Sequence, residues 1–348
     1  MMARVCLDWN ATAPLRPEAR AAMAAAMDVV GNPSSVHAEG RAARAVVERA
    51  RAQVAEATGC AAGDVVFTSG ATEAAALALA GRGFVGAAVE HDCVAAWVEA
   101  ALSVDADGRV TVVEPGRSVL QAANSETGVV QALPEGLACV DAVQAVGRVP
   151  FAFDWTGARA AMVSAHKLGG PKGIGALLLA PGAEVAPVLK GGGQEMGRRA
   201  GTENVVGIAG FGAAIAAAAR DLAAGLWEEV AERRNILEAA LVSAASSTIF
   251  VGKAAPRLPN TSCFAVPGWR GETQVMQLDL DGFAVSAGSA CSSGKVRASR
   301  VLAAMGLDAA TAASAIRVSI GPATTREEVL AFAGAWERHY RRFRARAA

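Results

Sequence analysis

The chain has 348 residues, 53% of them apolar, and its 33 basic side chains balance 33 acidic ones for a formal net charge of zero. No global field draws such a chain to nucleic acid or to an anionic membrane, so a small ligand or a protein is the expected partner. The length allows about two domains with ample apolar material for a core.

The start, MMARVCLDWN, has neither a basic segment leading into an apolar one nor a small-residue cleavage site, so no secretory leader is read and a cytoplasmic location is expected. RPEARAAMAAAM (16–27) and RAARAVVERARAQVAEAT (41–58) repeat apolar residues at three- and four-residue intervals with charges between, the pattern of amphipathic helices. Short apolar runs follow: DVVFTSG (64–70), GAAVEHD (86–92), RVTVVEP (109–115), ACVDAV (138–143), AAMVSAH (160–166) and GALLLA (175–180). Their lengths suit strands buried on both faces. Strands alternating with helices predict an α/β sheet covered by helices over residues 15–221, with ligands gathered at the strand ends.

NVVGIAGFGAAIAAAA (204–219) falls short of the ~20 strongly apolar residues that a spanning helix needs, and is read as a buried helix. GLWEEVAERRNILEAALVSA (225–244) is a further amphipathic helix. The order of elements then changes, with strands expected in NTSCFAVPG, QVMQLDLDGFAVSAG and AIRVSIG and a closing helix in TREEVLAFAGAWERHYRRFRARAA. Residues 222–348, together with 1–14, are expected to form a second, smaller α+β domain. The basic tail reads as a solvated helix end that complements the dipole, or as a partner surface.

Six cysteines at 6, 60, 93, 139, 263 and 291 form no C-x-x-C pair, and reduced thiols are expected. Cys6, Cys139 and Cys263 fall in predicted strands and are read as core, and no role is assigned to Cys93. The four histidines, at 37, 91, 166 and 339, have no metal-ligand spacing. No metal is expected.

Five places carry chemistry. In AGSACSSGK (287–295) a single cysteine, Cys291, is bracketed by small residues that suit a wetted loop rather than a core. Lys167, in MVSAHKLGGPKGIGALLL, follows a strand and precedes a glycine-rich turn; it is either a surface lysine or a Schiff-base former whose surroundings favour the neutral amine. Asp141 ends a predicted strand, where it can cap a helix or pair with the ring nitrogen of a pyridine cofactor. In FTSGATEAAALALA, Ala71 and Thr72 open a helix whose free N–H groups suit a phosphate, although the same residues can serve only as a cap. His91 follows a strand and stands at the same sheet edge, where a purely structural role is equally open.

The ordered motifs LDWNATAP, GNPSSVH, SGATE, VEHD, NSETGVVQ, VDAVQAVG, SAHKLGGPKG, GGGQEMGRRAGTENV, SAGSACSSG and AIRVSIG span nearly the whole chain. Together they resemble the class V aminotransferase family of pyridoxal-phosphate enzymes, in particular its NifS/IscS-type cysteine desulfurases. The resemblance implies a fold type I architecture, with a large domain built on a mostly parallel seven-stranded sheet, and a homodimer. It implies that Lys167 binds pyridoxal 5'-phosphate covalently and moves protons, that Asp141 pairs with the pyridine nitrogen, that Gln144 bonds the phenolic oxygen, and that His91 stacks on the ring and assists proton transfer as a catalytic residue. Ala71, Thr72, Ser164 and His166 would surround the phosphate, and Thr202 would reach the phosphate of the other subunit. Asn124 and Arg317 would orient the substrate L-cysteine, Arg317 by a fork to its carboxylate. Cys291 would take the sulfur as a persulfide, leave alanine, and pass the sulfur to an acceptor protein such as an iron–sulfur scaffold or a tRNA-thiolation protein.

The stretches between VEHDCV and NSETGVVQ, and between NSETGVVQ and VDAVQ, are shorter than in the family pattern, which bears on partner docking rather than on the matched motifs. Gln194 stands where the family commonly has histidine. A selenocysteine lyase or another class V enzyme would keep Lys167 and Asp141, but an aminotransferase has no use for Cys291. A P-loop reading of GSACSSGK fails, because five residues separate Gly288 from Gly294 where four are needed, and Val296 follows the lysine. A non-catalytic scaffold would be expected to lose Lys167 or Cys291, and both are present.

Overall fold

The computed structural model describes residues 4–287 and 299–347, so the expected sulfur acceptor Cys291 and most of its loop lie outside the described residues. The chain runs through β1 (Val5–Cys6), α1 (Pro17–Met27), α2 (Ala38–Thr58), β2 (Val65–Thr68), α3 (Ala71–Leu79), β3 (Val85–Ala87), α4 (Asp92–Ala95), β4 (Glu99–Val104) and β5 (Val110–Thr111). Then come β6 (Val119–Gln121), β7 (Cys139–Asp141), β8 (Ala160–Ser164), β9 (Gly175–Leu179), α5 (Val205–Ala223) and α6 (Leu226–Ala244). The remainder is β10 (Ile249–Phe250), β11 (Thr261–Ala265), α7 (Gly271–Leu280), β12 (Phe283–Ala284), β13 (Ser286–Ala287), α8 (Arg300–Ala304), α9 (Ala309–Ala313), β14 (Ala315–Ser319) and α10 (Arg326–Ala347).

The main sheet is ordered β2-β9-β8-β7-β6, with β9 antiparallel to both of its neighbours and the other pairings parallel. A single parallel bridge, Val85 to Ser118, carries the order from β6 to β3, and β3 pairs in parallel with β4. β3, β4 and β5 form a separate three-stranded sheet, so where seven strands were expected the hydrogen-bonded main sheet has five, mostly parallel, joined to β3 and β4 only by that bridge. One face packs on α2 and α5 through Val54, Phe67, Leu178, Phe211 and Ile215, and the other packs on α3 through Val66, Leu77, Met162 and Leu177. The apolar α5 lies against α1 and α2 as a core helix. Gly210 makes this approach possible, since a Cβ there would stand 2.6 Å from Met23 Cγ.

A second core gathers Leu7, Trp227, Phe264, Phe332 and Trp336 from β11, α6, α10 and the N-terminal segment. Its sheet is ordered β10-β11-β14-β13, and an edge-to-face contact of Phe264 with Trp336 at 5.8 Å locks α10 against it.

Three expectations need correction. RVTVVEP is not a buried strand: only Val110 and Thr111 pair, antiparallel to the end of β4, and Val113 is 81% exposed. The strands in this region are β4 and β6, where short apolar stretches have neighbours to pair with. The first half of QVMQLDLDGFAVSAG is the helix α7, whose residues Gln274 and Leu278, one turn apart, are buried on one face; Gly282, at φ 91°, ends the turn before β12. Cys6 is exposed, because the two-residue β1 pairs only with β12 and alternation turns Cys6 outward.

Candidate active site

Because β2, β6, β7 and β8 run in the same direction, their C-terminal ends share one edge of the sheet, the position where α/β folds collect ligands. Asp141 ends β7, Ser164 ends β8 with His166 and Lys167 just beyond, Gln121 ends β6, and the turn after β2 leads into α3. Gly175 lets that turn sit against β9, since a Cβ there would lie 2.8 Å from the Cα of Gly70. A cavity of about 580 Å³ opens at this edge, and Ala71, Thr72, His91, Asp141, Gln144, Ser164, His166 and Lys167 all line it. The fold thus joins eight of the expected site residues.

Asn124, Thr202 and Arg317 are not on the cavity wall. Asn124 is buried, donating to Val89 O and accepting the N–H groups of Glu126 and Thr127, so it shapes the loop behind the wall. Arg317 is 4% exposed; it donates to Ser125 O at 2.9 Å, to Asp8 Oδ1 at 2.6 Å and to Ser286 Oγ at 3.0 Å. Its Nε is buried without a partner among the described residues. Ser125, which Arg317 supports, does line the cavity. Thr202 is exposed.

Lys167 Nζ donates to the main-chain oxygens of Asn10 at 2.7 Å and Ala11 at 3.0 Å. Gln144 Nε2 donates to the same Asn10 oxygen at 3.1 Å. Asp141 is buried and accepts the Val143 N–H at 3.0 Å. Burial pushes its carboxyl above the ordinary range, against the opposing charges of His91 and Lys167. Burial, and then the charges of Lys167, Lys172, Arg148 and His91, push His166 down to about 4, so it is neutral at physiological pH.

His91 Nδ1 accepts the Cys93 N–H at 3.2 Å and lies 3.0 Å from Cys93 Sγ. With Nδ1 accepting a backbone donor, Nε2 is the ring nitrogen that can donate. Burial, and then Asp141, push the Cys93 thiol up to about 12. It remains a thiol in the wall of the cavity.

The donor set suits an anionic pyridine ligand. Gly70 offers no side-chain cap at the start of α3, which leaves first-turn N–H groups beside Ala71 and Thr72 for an anion. A buried carboxyl (Asp141), two histidines and Lys167 stand elsewhere on the wall, groups that suit a pyridine aldehyde with a phosphate arm.

The sequence profile described as "Aminotransferase class-V" matches residues 5–332. The chain belongs to the class V aminotransferase family. Among curated members of this family, a cysteine desulfurase of Frankia sp. (strain EuIK1) is 39% identical over 372 residues, covering 93% of this chain and 88% of that protein. The cysteine desulfurase IscS of Dictyoglomus turgidum is 34% identical over 365 residues, covering 94% and 92%. A NifS-like protein from Rickettsia africae superposes with a TM-score of 0.87 at 30% identity, over 97% of this chain and 99% of that one.

Among residues at or beside this site, sequence reasoning gave no role to Asn10, Thr12 and Arg148, and it noted only that Cys93 could lie near His91. Asn10 and Thr12 stand in the LDWNATAP motif, where a polar pair between apolar flanks was the available signal. Thr12 Oγ1 lies 3.3 Å from His166 Nδ1. Cys93 carried no signal beyond its nearness to His91. Arg148 gave none, since an arginine at the end of VDAVQAVGR reads as surface.

Proposed function

We propose that the protein is a pyridoxal-phosphate-dependent cysteine desulfurase, a homodimer that converts L-cysteine to L-alanine and keeps the sulfur on Cys291 for a protein acceptor. The observation that carries this reading is the meeting of Lys167, Asp141, His91 and the start of α3 around one cavity.

Lys167 would hold the cofactor covalently, Asp141 and Gln144 would hold its ring, and Ala71, Thr72, Ser164 and His166 its phosphate. When bound, pyridoxal phosphate supplies an electron sink for charge developing at the substrate α-carbon. The neutral amine of Lys167 takes and returns the proton at that carbon. Asp141, whose burial disfavours an unpaired carboxylate, gains from a cationic N–H partner. With Nδ1 of His91 accepting the Cys93 N–H, its Nε2 would be the nitrogen that donates to the cofactor or moves a proton. Arg317, paired with Asp8 and donating to Ser125 O, and Asn124, bracing the adjoining loop, would orient the substrate by holding the Ser125 segment of the wall.

In the sulfur step the substrate C–S bond breaks and a bond forms between that sulfur and the Cys291 sulfur. One cysteine and one enzyme thiol become one alanine and one persulfide, so no external oxidant or reductant enters. A reductant or an acceptor thiol later releases the sulfur. Delivery to an iron–sulfur scaffold is the destination proposed, with tRNA thiolation as the other.

The test is alanine and sulfide production from L-cysteine by protein loaded with pyridoxal phosphate. Wild type is expected to form both, Cys291→Ala to bind the cofactor but release no sulfide, and Lys167→Ala to lose the visible absorption of the bound cofactor. Equal sulfide from wild type and Cys291→Ala, or an unchanged spectrum in Lys167→Ala, overturns the assignment.

A further inference from the structure

We infer that Arg148 is a positioning residue for Lys167: a buried cation with no carboxylate partner among the described residues, which fixes the frame around the lysine and favours its unprotonated amine. The inference rests on the proposed role of Lys167 for its catalytic meaning. Its geometry is independent of that role.

Arg148 is 3% exposed. Its Nη2 donates to Lys167 O at 2.7 Å and to Trp9 O at 3.4 Å. Its Nη1 donates to Asn10 Oδ1 at 2.9 Å and also to Gln144 Oε1. Every acceptor is a neutral amide or main-chain oxygen. A guanidinium taken out of water normally meets a carboxylate, because Coulomb attraction then offsets part of the desolvation cost. Here neutral oxygens accept the hydrogen bonds, and among the described residues no carboxylate pairs with the charge.

This charge sits beside the lysine. Asn10 links the two, since its side-chain oxygen accepts from Arg148 while its main-chain oxygen accepts from Lys167 Nζ. Burial, and then Arg317, push the Arg148 guanidinium down to about 9, which leaves it charged at neutral pH. Lys172 and Arg148 also act on neighbouring His166, whereas Asp141 is a carboxyl in charge contact with Lys167 and pulls the other way. A lysine that must attack an aldehyde needs a free amine, and cations held nearby in low dielectric favour it. The same guanidinium orients the Gln144 amide, whose Nε2 is tied to Asn10 O. One residue thus sets both position and charge.

The chain has five lysines, few enough to follow singly by NMR after 13C labelling of lysine in the full-length protein without added cofactor. Lys167 of the wild type is expected to lose its proton at lower pH than the other four. Arg148→Met should cut the unprotonated fraction of Lys167 at fixed pH by about tenfold, the effect of roughly 1.4 kcal/mol, and weaken equilibrium binding of pyridoxal phosphate by a similar factor. Arg148→Lys, which keeps the charge but not the fork, should restore most of the titration while leaving cofactor binding impaired.

A wild-type Lys167 that titrates with the other four overturns the inference without any variant. An unchanged Lys167 titration in a folded Arg148→Met protein overturns it as well. A Lys167 that titrates low in wild type and higher in Arg148→Met, in a protein that takes up no pyridoxal phosphate, supports the inference and sinks the proposed cofactor instead.

Discussion

Lys167 Nζ and the main-chain oxygen of Asn10 meet at 2.7 Å across 157 positions of sequence. Asn10 is 1% exposed, and its side chain also takes hydrogen bonds from Arg148 and Asn260 and gives them to Ser125 O and Thr261 Oγ1. A single asparagine therefore joins the lysine loop to β11 and to the loop that bears Ser125. Displacing Asn10 would disturb all of these contacts at once.

The free edge of β2 is closed by a buried ion pair. Arg51 donates to Glu195 at 2.7 and 2.8 Å and to Val65 O at 2.7 Å, while Glu195 also accepts the Phe67 N–H at 2.8 Å. Glu195 and Met196 hold left-handed backbone, φ 48° and 57°, so the pair also keeps a strained turn in place. Arg51→Met leaves a buried carboxylate unpaired and is expected to lower stability by about 3–5 kcal/mol in urea unfolding. Unfolding at the wild-type midpoint would show that the pair holds nothing.

Glu126 makes stability depend on pH. Burial pushes its carboxyl up to about 7, although a hydrogen bond from Ser299 and the charge of Arg317 pull the other way. Between the ordinary carboxylate range and about 7 the folded state binds a proton that the unfolded chain has released. Stability contributed by this group is therefore present at low pH and falls as pH rises through that window, by an amount on the order of 3 kcal/mol. Glu126→Gln should flatten the melting temperature between pH 5 and 7 and raise it relative to wild type at pH 8. The same pH slope in the variant would place the titration elsewhere.

Two cysteines should differ in reactivity. Cys6 is exposed, whereas Cys93 is held in the cavity wall as a thiol by burial and by Asp141. Brief alkylation with iodoacetamide at pH 8, followed by peptide mass spectrometry, is expected to label Cys6 well ahead of Cys93. Pyridoxal phosphate should slow Cys93 further. Faster labelling at Cys93 would mean that the wall is open at that point.

The local elements of the chain were legible where one periodicity dominated. The helices at 17–27, 38–58, 205–223 and 226–244 show three- and four-residue spacing, and strands β2, β7, β8, β9, β11 and β14 are short apolar runs bounded by turn residues. Legibility failed at the margins of the sheet. β4 has mostly exposed or half-buried residues and so lacks the signature of a covered strand, while the apolar RVTVVEP extends past its only partner. In α7, Val275, Met276 and Leu280 imitate a strand; their burial is decided by what packs on the helix, not by their order.

The site shows the same division. Lys167, Asp141, His91 and Thr72 could be named from sequence because each ends or begins an element at a place where parallel strands expose their C-terminal ends, and the motif order carried the family. Residue type and spacing along the backbone are local properties, so the chain by itself determined the family, the fold class and the chemical groups at the strand ends. Asn10, Cys93 and Arg148, and the retreat of Arg317 behind Ser125, were decided only by the tertiary structure. Burial, dielectric and hydrogen-bond closure depend on groups brought together from distant parts of the chain, and these turn an arginine that reads as surface into a cation held beneath the lysine.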